Sequence, residues 1–170
     1  EEFKVHEATL FLGVSLLDRA LDVLVVSRDK LQLLGCVCML VATKLEEIYA
    51  PTVDDFVDIS ANTYTRSEVI QYEMKLSQAL DWQLTSVTTF NFVERFLKAA
   101  NCNPKEACFV WYLAKLVLQE QSFVGFKPSL VAAAILNLAR QTTCCRGTEV
   151  WTKTIQFYTR YTPKDLEGVV

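Results

Sequence analysis

From Leu31 to Ala42 the chain carries one polar side chain, Gln32, and is otherwise apolar or small. A helix that is apolar on nearly every side is a buried helix, so other helices must wrap it. Counted on to Leu45, with Gln32 and Lys44 inside it, the stretch still falls short of the roughly 20 residues that span a bilayer, and no signal-peptide pattern opens the chain. A central core helix is the expected outcome. Lys44 then stands where that helix reaches a surface, just before Glu46 and Glu47.

Composition narrows the class. The 170 residues are 51% hydrophobic and 22% charged, which is the balance of a folded globular chain. The net charge of −3 offers no electrostatic footprint for a polyanion, so nucleic acid is a disfavoured partner. The six cysteines, Cys36, Cys38, Cys102, Cys108, Cys144 and Cys145, form no CxxC, and His6 is the sole histidine. That set lacks the spacing of a zinc site, so no metal or other cofactor is expected. Cys36 and Cys38 lie within the apolar helix and read as free buried thiols, which suits a reducing compartment, nucleus or cytosol.

Helical periodicity runs through the chain, with no sustained period-two alternation and five glycines to punctuate hairpins. The fold class is all-α. An amphipathic helix is predicted from about Ala8 to Val23, with Leu10, Val14, Leu17 and Leu21 in register. Ser27 is expected to cap the apolar helix, which would stop at Ala50-Pro51. Thr52 opens a short helix to about Ile59, and Thr65-Arg66-Ser67-Glu68 is a capping box for a helix to about Leu80. Residues 81–88 read as a linker before a helix marked by Phe90, Val93, Leu97 and Ala100. The same order then recurs: an amphipathic helix from about Lys105 to Glu120, an apolar one from Pro128 to Arg140, a short one around Glu149 to Tyr158, and a start at Thr162-Pro163. Two similar helical modules, each wrapped around one central apolar helix, are the architecture this pattern predicts.

Glu73 is a second charge on an apolar stripe, flanked by Val69, Leu76 and Leu80 at helical spacing. Ionic heads on such faces need a partner before burial is tolerable. Lys44 and Glu73 either pair with each other and close the core, or meet groups on another protein. Placement at a helix C-terminus also favours Lys44.

The strings Lys30-Leu31-Gln32-Leu33-Leu34-Gly35 and Met39-Leu40-Val41-Ala42-Thr43-Lys44-Leu45-Glu46-Glu47-Ile48-Tyr49-Ala50-Pro51 closely resemble the cyclin box. Asp55-Phe56-Val57, Asn62-Thr63-Tyr64-Thr65, Leu17-Asp18-Arg19 and Glu73-Met74-Lys75 extend the likeness, which is strongest to mitotic A- and B-type cyclins. Lys127-Pro128-Ser129-Leu130-Val131-Ala132 and Trp151 resemble the carboxy-terminal cyclin box. The resemblance implies tandem cyclin folds over residues 1–84 and 85–170, each of about five helices around its central apolar helix, with the first helix of the first repeat absent from this sequence and the last cut by its end.

It also implies a role: a non-enzymatic regulatory subunit that binds a cyclin-dependent kinase, holds its mobile regulatory helix inward and so completes the lysine–glutamate pair that kinase catalysis needs. By the same resemblance Lys44 and Glu73 reach kinase backbone groups, with Val41, Leu45, Ser77, Trp82 and Leu84 around them. Arg28, Leu31 and Gln32 match part of a groove that docks short arginine- and leucine-containing motifs of substrates and inhibitors. In the family the acidic position, Asp18, ties to an arginine of the first helix that is absent here, so Asp18 and Arg19 are expected to be structural ion-pair residues. Ser77 stands where an aliphatic residue is usual, and Leu45 and Trp82 where phenylalanine or tyrosine is common. If Ser77 lies at the interface, it forgoes about 1.5 to 3 kcal/mol of burial there.

No catalytic residue is assigned. There is no nucleophile beside a histidine in a recognisable motif, no GxGxxG and no phosphate loop, and Glu46-Glu47 and Asp54-Asp55 are sequence neighbours that diverge on a helix. The competing readings are a transcription-associated cyclin and a TFIIB-type repeat scaffold that holds DNA and basal factors. The cyclin reading implies a cell-cycle role in nucleus and cytoplasm.

Overall fold

The computed structural model describes residues 4–143 and 149–169. Cys144, Cys145 and the terminal residues of the expected modules lie outside that range. Among the described residues there are helices and turns and no strand. The chain divides into two compact units, 1–86 and 87–170.

In the first unit α1 (Glu7–Val23), α2 (Leu31–Glu46), α3 (Val53–Ile59) and α4 (Arg66–Ala79) surround one core. The axis is α2, which packs on α1, α3 and α4. Its Leu33, Leu34, Val37, Cys38, Leu40, Val41 and Ala42 are all buried, as a helix apolar on most sides must be. Gly13 of α1 lets the two helices approach closely, because a Cβ there would collide with the Met39 sulfur. Burial pushes the Cys38 thiol up to about 12, so it stays a protonated, inert thiol in the core.

Three sequence expectations are corrected. The core stripe of α1 is Leu12, Leu16 and Ala20 with Phe11, whereas Leu10, Val14 and Leu17 are half-buried and Leu21 is exposed. A helix with apolar side chains at so many positions fixes its period but not its phase. Ser27 makes no side-chain cap; a short 3-10 turn, Arg28–Lys30, leads into α2 instead. And α2 stops at Glu46, well before Pro51, because Glu47 turns to extended geometry.

Capping is where local sequence prevails. Thr52 and Asp55 form a reciprocal box at the start of α3, and Thr65 and Glu68 form one at the start of α4. In the second unit α5 (Thr89–Ala100), α6 (Pro104–Val117) and α7 (Pro128–Thr143) pack together, with α8 (Lys153–Thr159) against α5 and α9 (Pro163–Leu166) against α7. Asn103 and Glu106 box the start of α6, with Pro104 at the first helical position. Asn101 ends α5 in the left-handed region, and the buried Arg140 holds the Ala100 carbonyl at 3.1 Å and that of Val150 at 2.9 Å. The small residues Ala132-Ala133-Ala134 are all buried in α7.

Candidate interaction face on the first unit

The last turn of α2 and the middle of α4 carry the two charges singled out by sequence. Lys44 Nζ donates to Glu73 Oε1, so the two are brought together across the α2–α4 contact. They do not close the core: the side chains are 43% and 24% exposed. A pair in that setting contributes about 0–1 kcal/mol, so a partner could take over either charge at small cost.

The apolar residues expected around them divide in two. Val41 and Ser77 are buried, at 3% and 4% exposure. This corrects their placement on a partner-facing surface. Val41 points into the α2 core, and the Ser77 hydroxyl is satisfied inside its own helix by the Glu73 carbonyl at 2.9 Å. Leu45 is exposed, Leu84 is half-buried against the core and Trp82 is 62% exposed.

Trp82 reaches solvent through the backbone. Asp81 and Trp82 both adopt left-handed geometry, with φ of 49° and 60°. Their N–H groups bond back to the carbonyls of Gln78 at 3.1 Å and Ser77 at 2.8 Å, which ends α4 abruptly. For a residue as bulky as tryptophan such a conformation is uncommon and strained.

The sequence motif includes Ile48 and Tyr49 but gives neither a site role. They follow α2 directly and are 91% and 92% exposed; among the described large apolar side chains only Val25 is more so. Two adjacent bulky apolar residues just past a helix end were a signal available in the sequence, but expected helix continuation to Ala50 hid it.

Arg28, Leu31 and Gln32 are exposed at the start of α2. The turn that carries Arg28 is fixed by its neighbours: the Tyr64 hydroxyl donates to the Asp29 carbonyl at 3.0 Å, and Lys30 pairs with Glu68 at 3.0 Å while lying over the Tyr64 ring. The Thr65 backbone N–H, Lys30 and the Thr65 hydroxyl together hold the Glu68 carboxyl down at about 2. Asp18 and Arg19 are half-buried on α1. Neither forms an ion pair among the described residues; Arg19 Nη2 donates to the Gln83 carbonyl at 2.6 Å, and burial raises Asp18 above the usual carboxylate range.

A family model described as the cyclin N-terminal domain matches residues 1–85, and one described as the cyclin C-terminal domain matches residues 87–170. The chain belongs to the cyclin family. It is 41% identical to Cyclin-A2-1 of Arabidopsis thaliana, a match covering 100% of this chain and 39% of that protein. It is 40% identical to Cyclin-A1-4 of Oryza sativa subsp. japonica, covering 98% and 48%, and 39% identical to G2/mitotic-specific cyclin-1 of Medicago sativa subsp. varia, covering 98% and 38%. The chain thus spans less than half the length of these curated relatives.

Among solved structures, a viral cyclin from herpesvirus saimiri superposes with a TM-score of 0.80 at 22% identity, over 96% of this cyclin and 72% of that chain. A chain of the CAK complex from Chaetomium thermophilum superposes with a TM-score of 0.53 at 18% identity, over 96% and 60%. These two likenesses establish the cyclin fold. With both halves matched by cyclin domains, the transcription-factor scaffold is not the favoured reading.

Proposed function

We propose that this cyclin is a non-catalytic regulatory subunit that binds and activates a cyclin-dependent kinase in cell-cycle control. The contact face is the end of α2, the middle of α4 and Trp82. The observation that carries the reading is the Lys44–Glu73 pair: it joins two core helices yet remains at the surface, with exposed Leu45 beside it and exposed Trp82 at the end of α4. Surface charges of opposite sign next to uncovered apolar side chains suit a protein interface, where Trp and other aromatic anchors carry most of the binding energy. The mechanism is a population shift: binding favours the kinase conformation in which its regulatory helix is docked and its activation loop ordered. Arg28, Leu31 and Gln32 are proposed to recruit substrates or inhibitors that carry short arginine and leucine motifs.

The test is a panel of cyclin-dependent kinases assayed with wild type, Lys44→Ala, Glu73→Ala and the charge-swapped Lys44→Glu/Glu73→Lys. The swap preserves the internal pair and reverses what a partner meets. Activation of a kinase by wild type and its loss in all three folded variants is expected. A swap that activates like wild type, or a folded full-length protein that activates no kinase, would overturn the proposal.

A further inference from the structure

The end of α2 is held from the beginning of α1. Thr9, in the first turn of α1, is fully buried, and its hydroxyl donates to Oε1 of Glu47. The same oxygen accepts the backbone N–H of His6 at 2.7 Å. Glu47 is the capping residue of α2, extended at φ −98° and ψ 140°, with its own N–H on the Thr43 carbonyl at 2.9 Å.

Electrostatics explain the arrangement. A carboxylate at the C-terminal end of its own helix faces unpaired carbonyls and the negative end of the macrodipole. Glu47 is drawn instead to the N-terminus of α1, where donors are in excess. That cross-link fixes the point at which the chain leaves α2, and Ile48 and Tyr49 follow at once. Among the described residues, Ile48, Tyr49 and Ala50 make no backbone hydrogen bond of their own. Their direction therefore depends on the Glu47 anchor.

We propose that Thr9 is a positioning residue: by holding the Glu47 carboxylate it aims Ile48 and Tyr49 at an apolar surface of the bound kinase, continuous with the Lys44–Glu73 contact. The inference rests on the kinase-binding reading, since it names a remote residue that shapes that same face. Thr9 itself, being fully buried, touches no partner. Its effect passes through Glu47, and so it should vanish when the two side chains it aims are removed.

The experiment measures kinase dissociation constants for the full chain as wild type, Thr9→Val, Thr9→Ser, Glu47→Ala and Ile48→Ala/Tyr49→Ala, and for Thr9→Val placed in the Ile48→Ala/Tyr49→Ala and Lys44→Ala backgrounds. Thr9→Val keeps the volume and removes the hydroxyl; it should weaken binding about tenfold, with Glu47→Ala alike and Thr9→Ser close to wild type. In the Ile48→Ala/Tyr49→Ala background Thr9→Val should add less than about twofold, whereas in the Lys44→Ala background its full effect should persist. Glu47→Ala cuts the same link at a partly exposed residue, so it decides the matter if Thr9→Val fails to fold. Wild-type affinity in Thr9→Val or in Glu47→Ala, or an undiminished effect without Ile48 and Tyr49, would overturn the latch and leave kinase binding intact. Failure of the wild type to bind any kinase would remove both.

Discussion

Lys44 and Glu73 meet across two helices, one charge from the exit of α2 and one from the middle of α4, and both remain in reach of solvent. Their elements are held by the apolar core beneath, not by the pair. Lys44→Ala and Glu73→Ala should each change stability by about 0–1 kcal/mol, the range of exposed ion pairs. Equilibrium denaturation checks this. A loss several-fold larger would make the pair a core closure and weaken its case as a contact surface.

The turn after α4 holds Asp81 and Trp82 in left-handed geometry without a glycine. Asp81→Gly should stabilise the first unit by about 1 kcal/mol, as glycine adopts that region freely. Trp82→Gly should leave stability near or above wild type while costing about 2 kcal/mol or more of kinase affinity, as loss of an aromatic anchor does. Melting curves and titration calorimetry on the same samples would show whether the strain serves binding.

Ser77 is a core residue whose hydroxyl back-bonds to the Glu73 carbonyl within α4. Such bonds contribute little to a helix, and Ser77→Ala should shift stability by no more than about 0.5 kcal/mol. Kinase affinity should be unchanged within about twofold, which is below 0.5 kcal/mol. A marked loss of affinity would return Ser77 to the interface.

Five depressed carboxylates, Asp29, Glu47, Asp55, Glu68 and Asp165, shape the acid side of the stability profile. Glu68 is held at about 2, first by the Thr65 backbone N–H and then by Lys30 and the Thr65 hydroxyl; Glu47 is lowered by the Thr9 hydroxyl and the His6 backbone N–H. A folded pKa below the unfolded one means the contribution is full above the ordinary glutamate range. It is lost as pH falls through that range toward the folded value. Melting temperature should therefore fall between about pH 5 and pH 2, and Glu68→Gln should flatten the decline. An identical slope in wild type and Glu68→Gln would remove Glu68 from the account.

Leu40 is fully buried on the central helix. Leu40→Ala should cost about 2–5 kcal/mol, the transfer loss plus the cavity left behind. Chemical denaturation followed in the first unit provides the check.

The all-helical fold was legible because its signals are local. Thr65 and Glu68 cap α4 through contacts spanning three residues, and Thr52 opens α3 in the same way, so their chemistry is complete within a single turn. The burial of α2 was equally plain, since an apolar surface on all sides has nowhere to go but the core. The candidate face was legible in part: Lys44 and Glu73 stood out as charges on apolar stripes, while Val41 and Ser77 were read as facing a partner and lie inside.

What sequence alone determined is therefore which segments are helices, where most of them begin and which one is central, since period, caps and hydrophobicity are set by neighbours a few residues away. Tertiary structure decided the phase of α1, the end of α2 at Glu47, the pairing of Lys44 with Glu73 and the exposure of Ile48 and Tyr49. Each of these depends on a group far away in sequence, such as His6 acting on Glu47 from 41 residues away. Only packing brings such groups together, because hydrogen bonds and charges act over a few ångströms of space and are indifferent to distance along the chain.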